Sequence, residues 1–140
     1  MSNAIADGVA RPRRTLQSVG ALSAGFVVNV VLTLATDAAL RAIAVLPAIG
    51  VPMNDTQSLI AAAYRNLFAI FTSYLVARLA PHHPLAHALL GGAIGFALCI
   101  VGAFVTWNQD LGPHWYSVVL LVLAMPTAWA GGKIFLLLKR

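Results

Sequence analysis

The sequence predicts an all-α protein, an antiparallel bundle of four transmembrane helices with both termini cytoplasmic. Three observations carry that expectation. Only 9% of the 140 residues are charged and 60% are hydrophobic, whereas soluble domains carry roughly 25% charged residues. Too few solvated side chains remain to cover a water-facing surface, and the mean hydropathy of +0.85 agrees. Second, the apolar residues fall in four continuous runs, each long enough to supply the ~20 residues that cross a hydrocarbon core. Continuous rather than alternating runs point to helices, not barrel strands. Third, the cations gather at one end of those runs.

Each element follows from local signals. Residues 1–15 contain "RPRR" without a sustained apolar pattern and read as a cytoplasmic tail before a domain over 16–140. The first helix is expected over about 17–46. A basic start and an apolar run also suit a signal peptide, with "TLATDA" as a weak cleavage site. The run continues past Asp37 to Leu46, however, beyond the 7–15 residues of a signal core. "PAIGVPMNDT" then breaks the chain with two prolines and a glycine, and Asn54 with Gln57 fits a capping box opening a second helix over about 57–79. "PHHP" leaves room only for a tight hairpin into a third helix, 85–106. "NQDLGPH" supplies the last turn, its Gly112-Pro113 pair admitting a fourth helix over 115–137. Pro126 falls inside that helix, cannot donate to the carbonyl of Val122, and predicts a kink.

Orientation follows from the cations. With the N-terminus inside, Arg11, Arg13, Arg14, Arg78, Lys133, Lys139 and Arg140 face the cytoplasm; Arg41 and Arg65 lie toward the other side with Asp37, Asp55 and Asp110. The expected location is the inner membrane of a bacterium. Trp107, Trp115 and Tyr116 are expected in an outer aromatic belt.

Ionised residues inside apolar runs are the exceptions that suggest a site. Asn29, Thr33, Asp37 and Arg41 recur at intervals of four on the first helix and share one stripe. On the second helix, Ser58, Ala62, Arg65, Ala69 and Thr72 share a small and polar face, with Tyr64 beside it. Measured from Gly20 and Leu79 at ~1.5 Å per residue, Asp37 lies ~25 Å and Arg65 ~21 Å across the membrane. Similar depth predicts an Asp37–Arg65 ion pair, either as an interhelical clamp or as a polar pocket in which Arg65 binds an anion and Asp37 handles a proton. A second candidate is the small-residue seam of Gly91, Gly95 and Gly102 on the third helix, expected to permit close helix approach.

Other chemistry finds little footing. Cys99 is the single cysteine and excludes an internal disulfide, a Cys-x-x-Cys redox pair and thiolate zinc sites. His83 and His87 have ligand spacing, but no acid or cysteine accompanies them, and they read as interfacial histidines. His114, Ser117 and Asp110 crowd one turn without the geometry of a triad. No cofactor is implied, and the net charge of +5 reads as membrane topology rather than nucleic-acid binding.

The ordered segments "TDAALRA", "AAAYRNLFAIFTSYLVARLAP", "HPLAHALLGGAIG" and "TWNQDLGPHWYSVVLLVLAMPTAWAGGK" resemble a family of small bacterial four-helix membrane proteins of uncharacterised function. The resemblance implies the fold and supplies no catalytic residue. The expected function is that of a non-enzymatic scaffold or accessory subunit, in contact with membrane lipid and forming a homo-oligomer or joining a larger membrane complex. The alternative is a small oligomeric transporter or channel for an anion or proton-coupled solute, using Asp37 and Arg65.

Overall fold

A computed structural model describes the backbone of residues 2–140 and the side chains from Arg13 onward; the tail residue Arg11 lies outside the described side chains. The described residues form four helices and no strand: α1 (Ser2–Ala42), α2 (Asp55–Leu79), α3 (Pro84–Thr106) and α4 (His114–Leu138). All four are long and apolar enough to cross a membrane, α1 through its portion Arg13–Ala42. That is compatible with an integral membrane protein.

Helix α1 begins at Ser2 rather than near 17 and stops at Ala42 rather than 46. The apolar residues after Ala42 fold back instead of extending the helix. Val45 and Leu46 both donate their backbone N–H to the carbonyl of Leu40, at 2.9 and 3.1 Å. Ala44 takes a left-handed φ of 58°. Leu46 is buried there, whereas Ile43 stays exposed.

The α2 start is the reciprocal box its sequence suggests. Gln57 N–H donates to Asn54 Oδ1 at 2.9 Å, and Asn54 N–H donates to Gln57 Oε1 at 3.0 Å. Two backbone donors that a helix start leaves orphaned are satisfied at once. Helix α3 starts with Pro84 in its first turn, after a left-handed His83. Helix α4 runs through Pro126, and the hydroxyl of Thr127 donates to the Leu123 and Ala124 carbonyls.

Among the described residues, helix α2 touches each of the other three helices, while α1 meets α3 sparsely and α4 not at all. The interior is built from small side chains. Ala61, Ala77 and Ala88 are fully covered, and Ser58 is the largest side chain buried to that degree. Large apolar groups point outward, with Phe104 82% exposed. A lipid-facing exterior has no reason to hide its large hydrocarbons, whereas close backbone approach rewards small residues.

The close approaches sit at Gly25, Gly92, Gly131 and Gly132, where an added Cβ would strike Val76, Ala128, Ser73 and Leu85 respectively. The expected seam is displaced by one helical position: Gly92, not Gly91, meets α4, while a Cβ on Gly95 or Gly102 would meet nothing. Neighbouring helical residues point ~100° apart, so two adjacent glycines offer two stripes and only one can face α4.

Gly131→Ala should therefore cost about 1–3 kcal/mol, because its Cβ would press on the α2 backbone, which cannot yield. Gly95→Ala should change stability by less than about 0.5 kcal/mol. Equilibrium unfolding in detergent micelles measures both.

Candidate functional site

The ion pair expected from depth alone is present. Asp37 is buried, and its Oδ2 accepts from Arg65 Nη2 at 2.9 Å. Its Oδ1 accepts from the hydroxyl of Tyr64. Consecutive residues of α2 thus grip both oxygens of one α1 carboxylate. Arg41, one turn on, lies 3.9 Å from the same carboxylate and donates its Nε to the Pro47 carbonyl at 3.1 Å. That second bond ties the cluster to the folded-back segment after α1.

The cost of ions in oil makes this arrangement necessary. Insertion of a charged residue at a helix centre costs about 2.5–3.5 kcal/mol, and a carboxylate whose oxygens are both occupied by donors recovers much of it. The contribution of Arg41 along its own helix is small, at most ~0.5 kcal/mol at that range and exposure. The guanidinium carbon of Arg65 also stands 5.9 Å from the ring centroids of Tyr64 and of Tyr116 on α4. Two aromatic rings therefore lie within the range at which a ring quadrupole attracts a cation.

Beside the cluster lies a cavity of about 810 Å³ bounded by all four helices. Its polar wall includes Asn29, Thr33, Arg65, Asn66 and Tyr116; its apolar wall includes Leu22, Phe26, Ile94 and Leu98. Four buried side-chain polar atoms among the described residues lack a partner: Asn29 Oδ1, Ser58 Oγ, Arg65 Nε and Tyr116 Oη. Three of those residues, all but Ser58, line the cavity. An unpaired buried donor or acceptor costs about 1–3 kcal/mol, so these atoms give the cavity a polar wall able to bond water or another polar guest.

The sequence-predicted residues divide accordingly. Asp37, Tyr64, Arg65 and Arg41 form the cluster, while Asn29 and Thr33 continue its stripe along the cavity wall. Gly91, Gly95 and Gly102 join them there; Gly91 lies beside Leu22 of α1, and Gly95 and Gly102 face open space, so the α3 wall carries no side chains at these positions. Tyr116 is the residue that sequence reasoning misplaced. It turns inward to the cavity rather than joining the outer aromatic belt, whereas Trp115 stays near the end and donates to Asp55 at 2.8 Å. The missed signal was spacing: Tyr116, Leu120, Ala124 and Thr127 fall on one α4 face, and all four line the cavity.

A second cluster sits at Ser18 of α1, about 28 Å along the helix from Asp37. His87 is buried, with Nε2 2.9 Å from Ser18 Oγ and Nδ1 3.2 Å from the His83 carbonyl. Its ring packs edge-on against His82. This contact fastens α3 to α1 where those helices otherwise meet sparsely. Among the described residues no three histidine, cysteine or acidic side chains are placed to share a metal ion.

Comparison of the chain with family models, curated proteins and solved structures returns no match. The chemistry of the site therefore rests on its own residues.

Asp37→Asn or Arg65→Gln should each cost about 2–4 kcal/mol, somewhat below a fully buried pair because the Arg65 side chain is 31% exposed. The double variant should be less damaged than the sum by at least about 1 kcal/mol. Tyr64→Phe should cost about 1.5–3 kcal/mol, the worth of a hydrogen bond to a charged acceptor. Chemical unfolding of the four proteins reads the coupling, and strictly additive losses would show that these side chains do not act as a unit.

Proposed function

We propose that the protein is a non-enzymatic integral protein of a bacterial inner membrane that receives a solute in its cavity and presents Arg65 to it. The observation that carries this reading is the cavity of about 810 Å³ reaching the Arg65 guanidinium, whose buried Nε has no partner. That volume lies within the ~300–1,000 Å³ of ordinary ligand sites. Asp37 is already held by three α1 and α2 side chains and acts as the positioning residue for Arg65. The role is binding or translocation, in line with the transporter or channel alternative.

The proposed topology is an antiparallel bundle with both termini cytoplasmic. Pairings along the helices support it: Gly25 lies by Val76 and Asp37 by Arg65, while Gly92 lies by Ala128 and Gly132 by Leu85. Ser18 beside His87 places the start of α3 at the cation-rich end of α1. The positive-inside rule assigns that end to the cytoplasm.

A scaffold reading remains the alternative, in which the Asp37–Arg65 pair serves only as a clamp between α1 and α2. Purification in mild detergent distinguishes the two: a stoichiometric partner supports the scaffold, and an isolated protein with a reachable cavity supports solute binding.

Cys99 is a built-in reporter, being the single cysteine and a cavity-lining residue. In phosphatidylcholine nanodiscs, a small uncharged reagent, methyl methanethiosulfonate, should modify it in the folded protein. Gly95→Leu, which fills open space one turn away, should slow the modification about tenfold. A thiol that reacts only after denaturation would refute an accessible cavity.

A further inference from the structure

We infer that the cavity takes a single-chain amphiphile with a singly charged oxyanion head, entering from the lipid between α1 and α3. This deepens the solute-binding reading and rests on it. The argument has three parts, taken from charge, from the division of the walls, and from the open side of the bundle.

Charge comes first. Arg65 is the one ionised residue among the described residues lining the cavity, and the cluster behind it, Asp37 and Arg41 included, sums to one positive charge. A cation excess in low dielectric favours a monoanion over a neutral or cationic guest. The free donors agree: Arg65 Nε and Tyr116 Oη are both buried, both unpartnered and both on the cavity wall. A carboxylate or phosphate-ester oxygen accepts from either, and charge-assisted bonds of that kind are the strong ones.

Most of the remaining wall suits hydrocarbon, interrupted by polar side chains such as Asn29 and Thr33. Away from Arg65 and Tyr116 the lining passes to Leu22, Phe26, Ile94 and Leu98, with Gly91 and Gly95 between them. A small hydrated anion would leave that length facing water, whereas an acyl chain removes it from water and gains about 25 cal/mol per Å² of apolar surface. The way in is lateral. Among the described residues, helix α1 meets α3 sparsely and α4 not at all, and the cavity-lining Phe26 and Ile94 on α1 and α3 are both exposed. Glycines at 91, 95 and 102 put no side chain across that path.

Protection of Cys99 tests the inference with defined probes. In phosphatidylcholine nanodiscs, palmitate should slow thiol modification about tenfold, while hexadecanol and butyrate at the same concentration should each slow it less than about twofold. Tyr116→Phe removes a hydroxyl that has no partner in the fold, so the protein should remain folded. It should keep the unprotected labelling rate but lose most of the advantage of palmitate over hexadecanol. Arg65→Gln should lose it entirely. Equal protection by hexadecanol would overturn the anionic head, and protection by butyrate would overturn the acyl tail. Palmitate protection unchanged by Tyr116→Phe would overturn the assignment of the head to this end. A dimer in detergent whose Cys99 is shielded only in the dimer would assign the space to a second copy instead. In each of these cases a reactive Cys99 in the folded protein leaves solute binding standing; a Cys99 that never reacts removes both readings.

Discussion

An acidic side chain inside an apolar helix must be matched, and the matching of Asp37 organises this molecule. Its carboxylate collects Arg65 and Tyr64 from α2 and lies near Arg41 on its own helix. One such contact fixes the rotation of α1 about its axis, the rotation of α2, and their relative height. Small residues such as Gly25 set how closely the two helices approach, and the ion pair adds the polar contact between them.

From that fixed register the other features follow. With Asp37 set against Arg65, Gly25 comes to rest on Val76 and Thr72, and the stripe of Asn29 and Thr33 faces inward. Arg65 extends from the pair toward Tyr116, linking α4 to the same centre through its ring. Helix α4 is pinned independently by Gly131 on α2 and by Gly132 on α3. Helix α1 has no such contact with α4, so space remains beside the guanidinium. The clamp and the cavity are two consequences of one placement: the carboxylate uses part of the arginine, and the rest of the arginine borders the cavity.

Much of this was legible in the chain. Four apolar runs and their Pro- and Gly-rich breaks mark the helices because the bilayer imposes length and continuity. Asp37 and Arg65 could be paired from depth because a helix rises by a constant amount per residue. What escaped depended on rotation and on neighbours. The glycines at 91 and 92 look equivalent in sequence, yet only the second meets α4. Tyr116 beside Trp115 looked like one aromatic belt, although adjacent helical residues diverge and only Trp115 reaches Asp55. Residues 43–46 looked like more helix because they are apolar. Of these only Leu46 is buried, while Ile43 is exposed.

The interior pairing of Asp37 with Arg65 is the claim on which cavity, topology and ligand chemistry all stand. Solid-state NMR in lipid bilayers, with the Asp37 side-chain carboxyl carbon labelled with carbon-13 and the Arg65 guanidinium with nitrogen-15, measures it directly. The two should recouple at about 4 Å, the reach of a hydrogen-bonded ion pair. An Asp37 carboxyl that shows no coupling to Arg65 and contacts only acyl chains or bulk water would contradict the account.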